Sequence, residues 1–365
     1  MMRILVTGGG TGGHIYPALA IVRALKEIDN QLEVLYIGTK RGLEKDIVER
    51  EGLAFKYIEI AGFKRSLSFE NVKTIFKFLK SVSVSKKYIK DFNPDVVVGT
   101  GGYVCGPVVF SAARLKKPTL IHEQNSLPGI TNKFLAKFAD KIAICFEEAR
   151  AFFPADKVVL TGNPRASEVA GTLPVGKAAL GLNPNKKTVL ISGGSRGAEP
   201  INDAFTSMIQ NYEQADYEVV FVTGESHYET IRGKIEGVDL LKNVHLLPFI
   251  DHMPQYLVSI DLFVGRSGAT FLSEITALGV PSILIPSPYV TENHQEHNAR
   301  SVTDHGGGSL ILEKELTGER LFTEINRILG DAELHKKMGE ITKQLGIPDA
   351  TQRIMTVLNE IMKKE

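Results

Sequence analysis

The chain has 365 residues, which is enough for two domains of ordinary size. Hydrophobic residues make up 43% of the chain and charged residues 23%, a composition that excludes an intrinsically disordered protein. The 43 Lys and Arg residues nearly balance the 42 Asp and Glu residues, so the basic surplus of a general nucleic-acid-binding protein is absent and no nucleic-acid partner is expected. The two cysteines, Cys105 and Cys145, lie far apart in sequence and predict no disulfide framework. The opening MMRILVTGGG predicts no signal peptide, because its apolar run is short and leads into glycines.

Short apolar runs rich in β-branched residues alternate along the chain with longer amphipathic segments. The first series of predicted strands comprises residues 3–7, 33–38, 95–99, 118–122, 141–145 and 157–162. The second series comprises residues 188–193, 218–224, 244–249, 262–266 and 281–286. Helical patterns such as PALAIVRALKEI and TFLSEITALG lie between these strands. This alternation predicts the α/β class, with parallel sheets covered by helices on both faces.

The two series repeat one plan. Each opens with a strand that runs into a glycine-rich turn and a helix, first in RILVTGGGTGGH and again in TVLISGGSRGA. We therefore predict two Rossmann-like domains, residues 1–163 and 164–345, whose parallel sheets face each other across a cleft. The C-terminal residues 346–365 predict an amphipathic helix that can pack on either domain, with packing back on the first domain as one of the two alternatives. A cleft between two such domains is the expected place for a ligand.

The first glycine-rich turn, GGGTGGHIYP, predicts a phosphate site, because glycines allow close backbone approach and the following helix presents unpaired N–H groups. Gly8, Gly10 and Gly13 also satisfy the dinucleotide-binding pattern G-x-G-x-x-G. That reading needs an acidic residue at the end of the second strand to bind a ribose, and Thr39 and Lys40 stand there instead. A nicotinamide-dependent dehydrogenase is therefore the weaker interpretation.

His14 ends this turn and falls in the first turn of the predicted helix. A helix N-terminus disfavours the protonated imidazolium, so a neutral ring that can act as a base is expected. The alternative is a histidine that merely caps its own helix. In the second half, GGSRGA contains Ser195 and VGRSGATFLSE ends at Glu274, a carboxylate that can accept two hydrogen bonds from a ribose diol. Plain turns and a favourable charge near a helix start remain the alternatives there.

A metal site is not expected. His294 and His297 lie three residues apart beside Glu292 and Glu296, but the order is not H-E-x-x-H and no third ligand is evident. The Asp-x-Asp motif with which many sugar-nucleotide enzymes hold a metal does not occur in the sequence.

Eight motifs in order resemble those of glycosyltransferase family 28, and among its members the peptidoglycan N-acetylglucosaminyltransferases. They are GGTGGH, GTGGYVCGP, HEQN, TGNPR, GGSRGA, PFIDHM, RSGATFLSE and HQEHNA, and the resemblance extends from about residue 3 to residue 350. It implies the two-domain GT-B fold and inverting transfer of N-acetylglucosamine from UDP-N-acetylglucosamine to the C4 hydroxyl of undecaprenyl-pyrophosphoryl-N-acetylmuramyl-pentapeptide (lipid I), with no cofactor. The chain departs from the family at Arg196, where Gln is frequent, and at Phe271 and Leu272.

The resemblance also implies the roles of individual residues. His14 is expected to be the base. The donor-binding residues are expected to be Thr11, Gly12, Gly13, Asn125, Arg165, Ser195, Ile250, Ala269, Thr270, Phe271, Leu272, Ser273, Glu274 and Gln295. The acceptor-binding residues are expected to be Gly10, Gly101, Gly102, Tyr103 and Glu123. Helix N-termini and backbone amides are expected to stabilise the departing diphosphate.

The segment ENVKTIFKFLKSVSVSKKYIKDF is the candidate membrane surface. At helical spacing Val72, Ile75, Phe76, Leu79 and Val82 share one side, and lysines that include Lys73, Lys77, Lys80 and Lys87 share another. An apolar strip beside basic residues suits an anionic lipid surface, and the loop before it adds Phe63 and Leu67. The expectation is a peripheral protein at the cytoplasmic face of the cell membrane, with cell-wall synthesis proteins as further partners. Packing of the apolar side on the protein's own core is the alternative.

Three other protein classes stay open at this point. A sugar-nucleotide epimerase of the same build would share the donor loops and need no lipid surface. A glycosyltransferase that makes glycolipids would use a diacylglycerol acceptor, against which the acceptor motifs argue. A two-domain binding protein without enzymatic activity would be expected to carry a signal peptide.

Overall fold

A computed structural model describes residues 2–40, 42–60, 69–235 and 243–363, with the side chains of residues 69–73 and of Glu213 excepted. Lys73, Val72, Phe63 and Leu67 of the predicted membrane surface therefore lie outside the described residues or side chains. The chain divides into two compact units. The first comprises Met1–Ser167 with Asp349–Glu365, and the second comprises Glu168–Pro348.

The first unit contains a seven-stranded parallel sheet in the order β3-β2-β1-β4-β5-β6-β7. Its strands are β1 (Arg3–Thr7), β2 (Glu33–Thr39), β3 (Ala54–Ile58), β4 (Val96–Gly99), β5 (Thr119–Glu123), β6 (Lys141–Ile144) and β7 (Val158–Leu160). The helices between and after them are α1 (Gly12–Ile28), α2 (Glu44–Arg50), α3 (Phe69–Phe92), α4 (Cys105–Arg114), α5 (Ile130–Leu135) and α6 (Pro164–Ala170). None of the helices in the described ranges is long and apolar enough to cross a membrane.

The second unit repeats the plan with a six-stranded parallel sheet in the order β10-β9-β8-β11-β12-β13. Its strands are β8 (Lys187–Ser192), β9 (Tyr217–Val222), β10 (Val244–Leu247), β11 (Leu262–Gly265), β12 (Ser282–Leu284) and β13 (Gly308–Leu310). Its helices are α7 (Glu199–Ser207), α8 (Ile209–Glu213), α9 (Glu225–Ile235), α10 (Met253–Leu257), α11 (Ala269–Leu278), α12 (His294–Thr303), α13 (Gly318–Gly330) and α14 (Ala332–Leu345).

The predicted α/β class with two parallel-sheet Rossmann-like domains is confirmed. Two strands were missed, and both lie at a sheet edge. In β3 most side chains are exposed or half-buried, and β13 has three half-buried residues, so neither carries the apolar run of a central strand. The central strand β1 shows the contrast, since Ile4, Leu5 and Val6 are fully buried between helices on both faces.

The C-terminal helix α15 (Ala350–Met362) belongs to the first unit. Ile354, Val357, Leu358 and Ile361 on one of its sides join the buried cluster that contains residues of β1 and α1. Their spacing of three and four residues places them on one helical face, so burial of this face holds the end of the chain on the first sheet.

We expect Leu358→Ala to lower the free energy of unfolding of the first unit by about 2–5 kcal/mol, because it leaves a cavity in this cluster. Urea denaturation followed by far-ultraviolet circular dichroism measures the change. Gln352→Ala, at an exposed position of the same helix, is the matched control and should change stability by less than about 0.5 kcal/mol. Equal effects of the two substitutions would contradict the packing described here.

Candidate active site

Two loops meet at the carboxyl edge of the first sheet. The adjacent strands β1 and β4 pair in parallel up to Thr7 and Gly99, so the loops that follow them emerge side by side. The loops are joined by a hydrogen bond from the Gly9 N–H to the Gly101 carbonyl at 3.3 Å and by one from the Thr100 hydroxyl to the His14 carbonyl at 2.6 Å. These hydrogen bonds hold the two loops in a fixed arrangement at this edge of the sheet.

Helix α1 begins at Gly12, after Thr11 in an extended conformation, and no side chain caps its N-terminus. The first turn of the helix therefore directs backbone N–H groups and the positive end of its dipole away from the sheet edge. Such an end stabilises an anion, which is the physical basis of the phosphate site predicted for this turn.

His14 is half-buried in the first turn of α1. Its Nδ1 lies 2.8 Å from the Gly9 carbonyl oxygen, which can only accept a hydrogen bond. In the neutral ring Nδ1 therefore carries the proton and Nε2 carries the lone pair, the state that a general base requires. The ring packs directly over Gly101, where an added Cβ atom would come within 2.6 Å of His14 Cδ2.

Two of the predicted acceptor-binding residues are buried. Gly101 is buried under His14, adopts φ +112° and donates its N–H to the Sγ atom of Cys105 at 3.2 Å. Glu123 is 2% exposed. The structure replaces the expected direct contacts of these two residues with supporting roles. Of the other predicted acceptor residues, Gly10 and Tyr103 are exposed and Gly102 is half-buried.

Glu123 organises the loop after β5. Its carboxylate accepts hydrogen bonds from Asn125 N at 2.9 Å, Gly129 N at 3.1 Å and Asn132 Nδ2 at 2.9 Å. Burial raises the pKa of this carboxyl group, and the hydrogen bonds from these donors oppose the rise. Asn125, a predicted donor contact, is thereby held half-buried at the start of the loop.

Gln124 adds a link that sequence reasoning missed, although it lies within the HEQN motif. Its Nε2 donates to the Thr100 carbonyl at 2.7 Å and lies 2.9 Å from Nδ1 of His122. His122 Nε2 is in turn 3.0 Å from the Gly162 carbonyl, and burial lowers the pKa of His122 to about 4. A neutral histidine and an amide therefore connect the β4 loop to the loop that precedes α6.

The second unit forms an analogous edge where β8 and β11 end. The loop after β8 carries Ser195 at an exposed position before α7. Helix α11 begins at Ala269, after Gly268 in an extended conformation and without a side-chain cap. The second unit therefore also offers an uncapped helix N-terminus beside a glycine-rich loop.

Four contacts hold the turn before α11 against its neighbours. Ser267 Oγ donates to the Gln295 carbonyl at 2.7 Å, and Asn298 Nδ2 donates to the Ser267 carbonyl at 3.3 Å. Arg266 forms a half-buried ion pair with Glu313 at 2.5 Å and donates to the Ile285 carbonyl at 3.1 Å. These contacts bring the predicted diphosphate turn and Gln295 together in one rigid group.

The predicted donor residues of α11 differ in exposure. Leu272 is fully buried and donates its N–H to the Gly268 carbonyl at 2.9 Å, so its predicted direct donor contact is corrected to core packing. Ala269 and Glu274 are buried at 6% and 4% exposure, whereas Thr270, Phe271 and Ser273 are half-buried.

The remaining predicted donor residues are divided between the units. Ile250 is 5% exposed in the second unit, where Gln295 is half-buried. Gln295 Oε1 accepts from the Ser287 N–H at 2.9 Å, which fixes the orientation of its carboxamide. Arg165 is half-buried on α6 in the first unit, which also contains Thr11, Gly12, Gly13 and Asn125.

Two of the residues considered as metal ligands, His294 and Glu296, have other partners. His294 Nδ1 lies 2.8 Å from the Thr291 carbonyl, and burial lowers the pKa of His294. Glu296 pairs with Arg300 at 2.8 Å. Within the part of the chain that the structure describes, no three His, Cys, Asp or Glu side chains cluster in a way that could hold a metal ion.

Two Rossmann-like units with glycine-rich strand-to-helix turns form a fold of the GT-B type. Residues 4–144 match the glycosyltransferase family 28 N-terminal domain, and residues 188–354 match the glycosyltransferase family 28 C-terminal domain. The chain belongs to glycosyltransferase family 28.

The sequence is similar to named N-acetylglucosamine transferases over nearly its full length. The chain is 57% identical over 362 residues to the UDP-N-acetylglucosamine--N-acetylmuramyl-(pentapeptide) pyrophosphoryl-undecaprenol N-acetylglucosamine transferase of Bacillus pumilus, covering 99% of both chains. It is 55% identical over 364 residues to transferase 1 of the same name from Bacillus cereus, covering 100% of both chains. The prediction of an N-acetylglucosaminyltransferase is confirmed.

Solved structures agree on the fold. The crystal structure of MurG from Acinetobacter baumannii matches with a TM-score of 0.78 and 27% identity, covering 99% of this chain and 100% of that one. A UDP complex of MnaA from S. aureus matches with a TM-score of 0.70, and the match covers 100% of this chain and 97% of that one. At 16% sequence identity this match supports the fold only.

We expect Gly101→Ala to reduce turnover about 100-fold, because the added methyl group would displace the His14 ring. Calorimetric titration should show UDP-N-acetylglucosamine affinity within about twofold of the native value, because the substitution lies outside the donor residues. Gly233→Ala on α9, where an added Cβ atom meets nothing within 4 Å, is the control and should leave turnover unchanged. Native turnover in Gly101→Ala would contradict the described packing of the loop against His14.

Proposed function

We propose that the chain transfers N-acetylglucosamine from UDP-N-acetylglucosamine to the C4 hydroxyl of undecaprenyl-pyrophosphoryl-N-acetylmuramyl-pentapeptide, with inversion at the anomeric carbon. The names of its full-length relatives support the substrates. The hydrogen bond between His14 Nδ1 and the Gly9 carbonyl carries the mechanistic part of the proposal, because it leaves the lone pair on Nε2 in the neutral ring.

The reaction is a direct displacement. His14 Nε2 takes the proton of the C4 hydroxyl as its oxygen attacks the anomeric carbon of the donor sugar. The bond between that carbon and the diphosphate oxygen breaks, the electron pair leaves with UDP, and the configuration changes from α to β. Backbone amides at the uncapped start of α11 and in the Ser195 loop stabilise the charge that develops on the diphosphate. Each well-placed donor of this kind contributes about 3–4 kcal/mol in favourable cases.

The donor is held chiefly by the second unit in this proposal. The Ile250 backbone contacts the uracil, and Glu274 accepts hydrogen bonds from the ribose. Residues 269–271, Ser273 and Ser195 contact the diphosphate. Gln295 binds sugar hydroxyls, which its orientation by the Ser287 N–H supports. Thr11, Gly12, Gly13, Asn125 and Arg165 complete the donor set from the first unit. Gly10, Gly102 and Tyr103 contact the acceptor.

The acceptor is lipid-linked, and α3 supplies the proposed membrane surface. Ile75, Phe76 and Leu79 are 49%, 69% and 58% exposed, whereas Val82, predicted on the same side, is buried at 9%. The Lys80 side chain is 72% exposed beside this strip.

Helix α5 extends the surface. Ile130 is 68% exposed and Phe134 is 39% exposed, and the Phe134 ring packs edge-on against Phe78 of α3 with centroids 6.2 Å apart. An apolar strip flanked by lysines favours peripheral binding to anionic lipid at the cytoplasmic face of the cell membrane. Cell-wall synthesis proteins are the further partners that we propose there.

His14→Ala should abolish turnover of a lipid I analogue to below about 1% of the native rate, since it removes the general base. Binding of UDP-N-acetylglucosamine should persist. The assay uses radiolabelled donor and separates lipid-linked product from free sugar, so it also distinguishes an epimerase. Normal turnover in this variant would contradict the assignment of the base.

Phe76→Asp combined with Leu79→Asp should reduce binding to vesicles containing anionic phospholipid at least about 10-fold, because two charged groups replace exposed apolar ones. Co-sedimentation at several salt concentrations measures the effect. Leu173→Asp, at an 84% exposed position of the second unit, is the control. Undiminished binding of the double variant would show that α3 does not contact the membrane.

A further inference from the structure

A buried carboxylate lies directly beneath the glycine-rich loop and belongs to none of the sequence motifs. Glu44 is the first residue of α2, five positions after the end of β2, and is 0% exposed. Its Oε1 accepts hydrogen bonds from Thr39 N at 2.8 Å and from Thr39 Oγ1 at 2.5 Å. Its Oε2 accepts from Gly10 N at 3.3 Å. The carboxylate thus joins the end of β2 to the loop after β1.

The surrounding backbone leaves room for this side chain and for little else. A Cβ atom on Gly9 would come within 2.7 Å of Glu44 Oε1, and one on Gly38 within 2.6 Å of Glu44 Cγ. A Cβ atom on Gly42 would also meet the carboxylate. Glycines from two loops and one strand therefore form the cavity that encloses the Glu44 side chain.

The partner of Glu44 and the partner of His14 belong to the same peptide group. The Gly10 N–H donates to Glu44, and the Gly9 carbonyl of that same planar unit accepts from His14 Nδ1 at 2.8 Å. In a trans peptide the N–H and the carbonyl point in opposite directions and cannot turn independently. A hydrogen bond at one end therefore sets the direction of the other and also polarises it.

We propose that Glu44 is the positioning residue of His14 and acts on it through the single peptide group between Gly9 and Gly10. The carboxylate holds this peptide so that its carbonyl faces His14 Nδ1, and the carbonyl holds the ring in the tautomer with the lone pair on Nε2. The Tyr36 hydroxyl donates a hydrogen bond to the Gly8 carbonyl at 2.8 Å and thereby fixes the preceding peptide group. The catalytic consequence rests on the proposed function of His14, whereas the control of the tautomer does not.

Glu44→Gln tests this arrangement with almost no change in shape. If the Gln carbonyl keeps the two bonds from Thr39, its NH₂ group faces the Gly10 N–H, and two donors oppose each other. The Gly9–Gly10 peptide then turns and releases Nδ1. We expect kcat to fall about 100-fold, while KM for UDP-N-acetylglucosamine stays within about twofold.

Glu49→Gln, at an exposed position of the same helix, is the matched control and should retain native kcat. Thr39→Val is the second variant, because it removes one of the described hydrogen bonds to Glu44 and keeps the carboxylate. It should lower kcat about 10-fold and tests the proposal if Glu44→Gln does not fold. Thermal unfolding establishes which variants are folded.

The ¹⁵N shifts of the His14 ring give a readout that does not depend on catalysis. The native spectrum at neutral pH should show a protonated Nδ1, and Glu44→Gln should show a mixture of tautomers. A folded Glu44→Gln with the native tautomer and native kcat overturns the proposal and leaves the role of His14 as base untouched. Normal turnover in His14→Ala contradicts the base assignment, and the ring spectrum then still decides whether Glu44 controls the tautomer.

Discussion

Parallel pairing of β1 with β4 is the constraint on which the candidate site of the first unit depends. The register ends at Thr7 and Gly99, and the bond from Gly9 to Gly101 continues the contact beyond the sheet. Parallel strands end at a common edge, so loops distant in sequence must share that edge. The same geometry places the start of α1 there, where its dipole favours an anion and a neutral histidine together.

The second unit also brings two loops to a common sheet edge, but different contacts hold them there. Its loops follow β8 and β11, whose register ends at Ser192 and Gly265. The turn before α11 is held from the side by the Arg266–Glu313 ion pair and by hydrogen bonds to α12, whereas the first loop is held from beneath by Glu44. Duplication of a fold therefore preserves the place of a site without preserving the groups that support it.

Buried polar groups support the loops at the edge of the first sheet. Glu123 accepts hydrogen bonds from amide groups of Asn125, Gly129 and Asn132. Gln124 and His122 join neighbouring loops in a neutral network. Leaving such a group unpaired in the interior costs about 1–3 kcal/mol, so each of these contacts restricts its loop to one arrangement. The exposed residues above these groups are therefore held in fixed positions, as a site that stabilises charge with preorganised donors requires.

The sequence by itself determined the α/β class, the duplicated plan, nearly all of the strands and the turns at which a phosphate could bind. These follow from local periodicity and glycine placement, which are properties of neighbouring residues. Motif order was sufficient for the family as well. Edge strands such as β3 escaped prediction because most of their residues are exposed or half-buried and they lack the apolar run of a central strand.

Only the tertiary structure decided which residues of each motif reach the surface. Gly101, Glu123 and Leu272 lie in motifs yet are buried, whereas Glu44 lies in none and contacts the centre of the glycine-rich loop. The physical reason is that burial and hydrogen bonding depend on strand order, which brings β2, β1 and β4 together from separate parts of the chain. No local pattern contains that order.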